Sequence, residues 1–90
     1  MALACASRKL ADMYFVYILK STLINWNYVG LTQNLDNRIM QHNQGHVKST
    51  KHYKPLCLIF AQIVNSRLES RNLEKFLKIR FNKEALLELI

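Results

Sequence analysis

The sequence predicts an α+β fold, an α/β sandwich in which helices flank a three-stranded, mainly antiparallel sheet. Three short apolar runs have the length and the β-branched or aromatic content of strands, and the segments after the second and third runs begin with residues that cap helices. The chain has 90 residues, the length of one domain. The expected order is therefore β-β-α-β-α-α around one core.

The first two strands are expected to form a hairpin. Residues 14–20 (YFVYILK) and 26–31 (WNYVGL) are apolar and aromatic, and the residues that connect them include Ser21, Thr22 and Asn25. Gly30 lies inside the second run, which indicates either a bulge or a place where another group approaches the backbone closely.

Residues 32–45 (TQNLDNRIMQHNQG) follow and predict the first helix. Thr32 or Asn34 can cap its start, and Gly45 can end it. Its apolar stripe consists of Leu35, Ile39 and Met40. Arg38 and His42 are one helical turn apart, so their side chains share a face.

Residues 46–55 form a lysine-rich loop closed by Pro55, and residues 56–64 (LCLIFAQIV) are a nearly continuous apolar run. An apolar run of this length is typical of a central strand, and Cys57 within it is expected to be a buried, reduced thiol. Cys5 and Cys57 offer neither a disulfide framework nor a metal-ligand spacing.

Ser66 and Glu69 form a capping box that opens the next helix. The predicted apolar face of that helix consists of Leu68, Leu73, Phe76, Leu77 and Ile79. Asn82 is expected to break it before a short final helix. Residues 13–90 are then a single domain, and residues 1–12, which have no clear periodicity, are an N-terminal extension.

The chain is strongly basic, with a formal net charge of +7. Asp36 is the one acidic residue between Lys20 and Arg67, so the middle of the chain carries a cationic surface. Such a surface attracts phosphate backbones, although a solvated surface or an anionic membrane would also fit the charge. No stretch has the length of a membrane span, and the N-terminus lacks the apolar core of a secretory signal. We expect a soluble cytoplasmic protein with no membrane association, and a surface groove as its site.

A set of spaced residues resembles the GIY-YIG endonuclease superfamily, in particular its small single-domain members. The motif VYI, the motif YVG, an arginine, a histidine and a later helical glutamate follow one another as in that superfamily. The matching positions are Tyr17, Tyr28, Gly30, Arg38, His42 and Glu74. The first motif lacks its glycine, because Phe15-Val16-Tyr17 stands in place of Gly-Ile-Tyr.

The resemblance implies a DNA endonuclease that depends on Mg²⁺ or Mn²⁺. Glu74 would be the metal ligand, Arg38 would bind the phosphate, and Tyr17 would be the base or orient the water. Tyr28 would line the site, and His42 would transfer a proton or contact the substrate. The expected contacts to nucleic acid are Gly30, Lys48, Lys51, Lys54 and Arg67.

Several alternatives remain. On an ideal helical wheel, Glu69 lies nearer the middle of the predicted apolar face than Glu74, so Glu69 competes as the metal ligand. The protein could also be a nucleic-acid-binding module of the same fold without useful catalysis, or a basic protein associated with RNA. Both a monomer that acts twice and a transient dimer are compatible with cleavage of two strands.

Overall fold

The computed structural model describes residues 13–89. The predicted extension, residues 1–12, lies outside the described residues. The elements are β1 (Tyr14–Ser21), β2 (Asn27–Thr32), α1 (Leu35–Asn43), β3 (Leu56–Val64), α2 (Arg67–Lys78) and α3 (Arg80–Leu89). The predicted α+β fold and the β-β-α-β-α-α order are confirmed.

The sheet has the strand order β2-β1-β3, and both pairings are antiparallel. β1 is therefore the central strand, and its residues 16–19 are completely buried. The prediction that residues 56–64 form the central strand is wrong: β3 is an edge strand, with Leu58 40% and Ile63 48% exposed. Cys57 is exposed as well, not buried, because helices leave part of this edge strand uncovered. An apolar run reports a preference for burial but does not specify which strands lie beside it.

The two faces of the sheet pack against different layers. On one face, Val16, Ile18 and Val29 form a cluster with Leu77 of α2, and Leu87 of α3 packs against it. The opposite face carries Tyr17, Leu19 and Leu56. The residues packed there come from β2, from α1 and from the connecting segments: Trp26, Tyr28, Leu35, Ile39 and Tyr53. The alternation of side chains along β1 thus places Tyr17 on the α1 face of the sheet.

The predicted ends of α1 are confirmed. The Asn34 side-chain oxygen accepts a hydrogen bond from the Asn37 backbone N–H at 3.1 Å, which caps the first turn. Gly45 follows the last turn with a φ of 83°, and its N–H donates to the His42 carbonyl at 3.1 Å. This left-handed conformation favours glycine and ends the helix.

The start of α2 is as predicted, but its buried face differs from the prediction. The Ser66 hydroxyl oxygen accepts from the Glu69 N–H at 3.1 Å. Three residues of the predicted apolar face are exposed: Leu68 (70%), Phe76 (53%) and Ile79 (57%). The face of α2 that is buried is therefore narrower than the face that is apolar in sequence.

The break between α2 and α3 lies at Ile79, whose backbone is extended, and not at Asn82. Asn82 lies within the first turn of α3, and its side-chain N–H donates to the Phe76 carbonyl at 3.0 Å. The polar residue that suggested a break therefore bonds back to the end of α2. Within residues 13–89, no helix combines the length and the apolar character needed to cross a membrane.

Candidate active site

The hairpin brings the two tyrosines together on the α1 face. Tyr17 pairs with Gly30 across the β1–β2 ladder, and Tyr28 pairs with Leu19. Because Tyr17 and Tyr28 lie diagonally on the same face, their ring centroids are 6.4 Å apart. Tyr17 is completely buried, whereas Tyr28 is half-buried and reaches the surface of the site.

Gly30 makes room for the Tyr17 ring. A Cβ atom built on Gly30 would lie 2.4 Å from both Cζ and the hydroxyl oxygen of Tyr17. The β1–β2 register runs without a bulge at this point, so close approach, the second of the two predicted roles, explains the glycine. The predicted contact of Gly30 with nucleic acid stays a prediction, since the structure places this residue beneath Tyr17.

His42 joins three elements of the fold. Its Nε2 lies 2.9 Å from the Tyr17 hydroxyl, and its Nδ1 lies 2.7 Å from the Thr50 hydroxyl in the loop after α1. Tyr28 lies against the same imidazole, with ring centroids 5.1 Å apart. His42 and Thr50 are both completely buried. The result is a buried hydrogen-bonded chain from the central strand, through α1, to the loop.

Burial keeps the side chains of Tyr17 and His42 uncharged in the free protein. Desolvation, reinforced by the positive charge of Arg38, lowers the pKa of His42 from 6.5 to about 4. Desolvation is also the main reason why the pKa of Tyr17 is raised from 10.0 to about 12. Arg38 opposes this rise through a hydrogen bond and its positive charge, whereas Tyr28 and the Glu74 carboxylate add to it. Additional positive charge beside Tyr17 would therefore be needed to form a phenolate near pH 7.

Arg38 lies one turn before His42 and is half-buried over Tyr17. Its Nη1 donates to the side-chain oxygen of Gln41 at 3.0 Å. Within the described part of the chain, Arg38 forms no ion pair with a carboxylate. Its charge is therefore available to an anionic ligand, and a guanidinium offers the forked donors that suit phosphate oxygens.

The structure separates the two candidate carboxylates of α2. Glu74 lies four residues after Ser70 and three before Leu77, the two buried residues of the helix, so it shares their face. Its side chain is 19% exposed and pairs with Lys78 at 3.2 Å. Glu69 is exposed. The predicted apolar face, which has Glu69 near its middle, includes Leu68, Phe76 and Ile79, and all three are exposed.

Glu74 opens into a shallow groove of about 350 Å³ beside the edge of β2. The groove is lined by Tyr14, Leu31, Thr32, Gln33, Arg67, Arg71 and Glu74. Arg67 and Arg71 are exposed, as are the three lysines of the loop, Lys48, Lys51 and Lys54. Two arginines of α2 thus line this groove and the lysines of the loop are exposed, while their contacts with nucleic acid stay a prediction.

Two features of the site escape reasoning from sequence. Thr50 is one of several polar residues in the loop, and nothing in its spacing distinguishes it. Trp26 and Tyr53 stack with ring centroids 3.9 Å apart and planes inclined by 8°. Their aromatic character hints at packing, but the contact crosses from the hairpin to the loop and depends on the tertiary fold.

Comparison with known proteins agrees with this geometry. The model of the GIY-YIG catalytic domain matches residues 13–86. The UPF0213 protein YazA of Bacillus subtilis (strain 168) is 35% identical over 78 residues, covering 83% of this chain and 78% of its own. The UPF0213 protein SH2523 of Staphylococcus haemolyticus (strain JCSC1435) is 33% identical over 78 residues, covering 86% of this chain and 93% of its own.

A solved structure gives the same result. The solution NMR structure of the UPF0213 protein BH0048 from Bacillus halodurans superposes with a TM-score of 0.56 and 31% sequence identity, and the match covers 86% of this chain and 84% of that one. The tyrosine pair, the glycine beneath it and the arginine and histidine of α1 therefore occur within a matched domain. The chain belongs to the GIY-YIG catalytic domain family, a family of the nuclease type.

Proposed function

We propose that this protein is a divalent-metal-dependent DNA endonuclease that hydrolyses phosphodiester bonds, with Arg38 as the phosphate ligand and Glu74 as the metal ligand. The observation that carries the proposal is the buried bond between Tyr17 and His42, covered by an arginine without an ionic partner among the described residues. A net charge of +7 and the exposed lysines of the loop suit a polyanionic substrate.

Arg38 binds the scissile phosphate and offsets the charge that develops on it. Tyr17 is fully buried in the free protein, so a water molecule reaches its hydroxyl when the side chain above it moves. Arg38 covers Tyr17, and a phosphate oxygen would draw its guanidinium away from Gln41. Substrate binding would in this way expose the base that the reaction uses.

The proton of Tyr17 has a defined acceptor. Nε2 of His42 lies 2.9 Å from the hydroxyl oxygen, within the range for direct proton transfer. Tyr17 then orients and deprotonates the attacking water, and Tyr28 lines the site through its hydroxyl. The difference between the pKa values, about 12 for Tyr17 and about 4 for His42, keeps the proton on Tyr17 in the free protein.

The residues present fit a magnesium or manganese ion held by one carboxylate. Residues 13–89 contain no group of three or more His, Cys, Asp or Glu side chains that could enclose a metal. Mg²⁺ retains several waters and accepts phosphate oxygens as ligands, so Glu74 alone can anchor it. When bound, the ion supplies positive charge to the phosphate and to the leaving oxygen. Glu74 would exchange its contact with Lys78, a side chain that is 53% exposed, for the ion.

The complete burial of Tyr17 also favours a second candidate function, a DNA-binding module of this fold without cleavage. In that case Tyr17, His42 and Thr50 serve as a polar core, and the cationic surface alone meets the nucleic acid. Binding to DNA would then be independent of metal and of Glu74.

A cleavage assay separates the two candidates. The full chain is incubated with linear, nicked and branched DNA in Mg²⁺, Mn²⁺ or EDTA. We expect metal-dependent cleavage of at least one substrate and a loss on the order of 10²-fold or more in Glu74→Ala. Glu69→Ala, an exposed carboxylate of the same helix, is the matched control and should cut like the wild type.

The proposal fails if no substrate is cut, or if Glu74→Ala cuts as fast as the wild type. DNA binding that survives both EDTA and Glu74→Ala, without cleavage, identifies the second candidate. A loss of activity in Glu69→Ala and not in Glu74→Ala would identify Glu69 as the metal ligand.

A further inference from the structure

Thr50 is a completely buried hydroxyl, and its position is fixed by the backbone around it. Its N–H donates to the Val47 carbonyl at 3.1 Å, and its carbonyl accepts from the Tyr53 N–H at 2.9 Å. The hydroxyl lies 2.7 Å from Nδ1 of His42 and 3.4 Å from the Val47 carbonyl. Two turn hydrogen bonds therefore hold this hydroxyl against the imidazole.

The buried serine hydroxyls of the described residues contact backbone carbonyls. The side chain of Ser21 donates to the Tyr53 carbonyl at 2.7 Å, and that of Ser70 donates to the Arg67 carbonyl at 2.7 Å. Thr50 differs because it meets a titratable ring that also bonds to Tyr17. A buried polar group is costly without a partner, so the contact also satisfies Nδ1 of the buried imidazole.

We propose that Thr50 is a positioning residue that fixes His42 with its proton on Nδ1, so that Nε2 presents a lone pair to the Tyr17 hydroxyl. The value of this arrangement for catalysis rests on the proposed nuclease function. The position of the proton does not, because it follows from the hydrogen bonds of the free protein.

Satisfaction of every donor selects this tautomer. With the proton on Nδ1, His42 donates to Thr50, Thr50 donates to the Val47 carbonyl, and Tyr17 donates to Nε2. With the proton on Nε2, the Tyr17 hydroxyl loses its acceptor, because its other hydrogen-bonding neighbour, Arg38, is purely a donor. An unsatisfied buried donor is unfavourable, so the first arrangement is the stable one, and it requires the Thr50 oxygen as the acceptor of the Nδ1 proton.

The tautomer determines what His42 can do. A ring with a free Nε2 can receive the proton of Tyr17, whereas a ring protonated at Nε2 would donate to the phenol oxygen and could not receive its proton. Thr50 lies in the same loop as Lys48 and Lys51. The loop expected to contact DNA thus also contains Thr50, the residue proposed to fix which nitrogen of His42 carries the proton.

Long-range ¹H–¹⁵N correlation spectra of the imidazoles test the proposal without any activity measurement. At pH 7 we expect a protonated Nδ1 and an unprotonated Nε2 for His42, assigned by comparison with His42→Gln. Thr50→Ser should keep this pattern, and Thr50→Val should shift it toward protonation at Nε2. Ser70→Ala, which removes a buried hydroxyl far from the ring along the chain, is the control and should leave the His42 signals unchanged.

A wild-type ring protonated at Nε2, or a Thr50→Val ring with the wild-type pattern, overturns the proposal. Should Thr50→Val fail to fold, Tyr17→Phe decides: Nδ1 stays protonated if Thr50 sets the tautomer, and a switch to Nε2 contradicts it. In the cleavage assay, Thr50→Val should lower kcat at least about tenfold with KM unchanged, part of the 10²–10⁴-fold typical of a positioned acid–base group, and Thr50→Ser should restore it. If the wild type does not cut DNA, the proposed function fails while the tautomer result still stands.

Discussion

The hydroxyl of Tyr17 lies 2.9 Å from Nε2 of His42, a residue 25 positions away in the chain. Both side chains are completely buried. The bond connects the central strand of the sheet to α1, and Arg38 lies one turn before the histidine on the same helix. Because both side chains are buried, their effect on the stability of the protein can be measured in the absence of any substrate.

The first prediction concerns acid stability. The pKa of His42 falls from 6.5 in the unfolded chain to about 4 in the folded protein, chiefly because of burial. Between these values the unfolded chain binds a proton that the folded protein does not. The free energy of unfolding is therefore unaffected by this residue above pH 6.5 and decreases as the pH falls from 6.5 to about 4, by up to ~3 kcal/mol.

Urea denaturation at pH 7 and at pH 4.5 measures this effect. His42→Gln should lose less stability between the two pH values than the wild type, and His46→Gln, an exposed histidine, should behave like the wild type. Among the described residues, the charged or titratable groups that face the ring are Arg38, Tyr17 and Tyr28, and none of them is a carboxylate. An equal loss in the wild type and His42→Gln would show that other groups govern the acid response.

The second prediction concerns Gly30. A Cβ at this position lies 2.4 Å from the Tyr17 ring, so Gly30→Ala forces the ring or the strand to move. We expect a destabilisation of about 1–3 kcal/mol, as for overpacking in a core. A double-mutant cycle with Tyr17→Ala checks the cause: the added methyl should cost much less when the ring is absent. Equal costs in the two backgrounds would place the strain elsewhere.

The fold was largely predictable because its elements have local signals. Asn34, Gly45 and Ser66 cap or end helices through contacts within a few residues, and each does so in the structure. Strand order is not local. Residues 56–64 are apolar enough for a central strand, yet β1 is the central strand because β2 pairs with one of its edges and β3 with the other.

The site was predictable to the extent that it follows a family's spacing. Tyr17, Tyr28, Arg38 and His42 are brought together as the resemblance implies, whereas the side chain that completes the chain of hydrogen bonds, Thr50, has no distinguishing pattern. A loop residue acquires such a role from the path of the backbone, which sequence periodicity does not describe. For the same reason the sequence does not show that Glu74 is largely buried while Glu69, like Leu68 and Phe76, is exposed.

The third prediction concerns Lys78. Its ammonium lies 3.2 Å from the Glu74 carboxylate and would compete with a bound cation. Because Lys78 is 53% exposed, the pair is weak. Lys78→Ala should therefore increase the affinity for Mn²⁺ by no more than about fivefold.

Titration calorimetry or electron paramagnetic resonance of Mn²⁺ measures this change, and Lys75→Ala, an exposed lysine of the same helix, is the matched control. A decrease of affinity in Lys78→Ala would mean that the lysine does not oppose the metal. Equal effects of both substitutions would indicate a general change in helix charge.

The fourth prediction concerns the lysines of the loop. Lys48, Lys51 and Lys54 are exposed, and each contact with a phosphate releases counterions. Replacement of all three by Ala should weaken DNA binding and make the plot of log K against log salt shallower by about 2–3. Lys75→Ala should leave the slope almost unchanged. A slope unaffected by the triple substitution would place the DNA on another surface.

The most direct measurement is a crystal structure of Tyr17→Phe bound to uncleaved DNA and Mn²⁺, with the ion located by its anomalous scattering. We expect the ion on the Glu74 carboxylate and on the scissile phosphate, with Arg38 bound to a second oxygen of that phosphate and the residue 17 ring facing it. An ion on Glu69, or a phosphate bound away from Arg38, would contradict the assignment of these residues to one catalytic site.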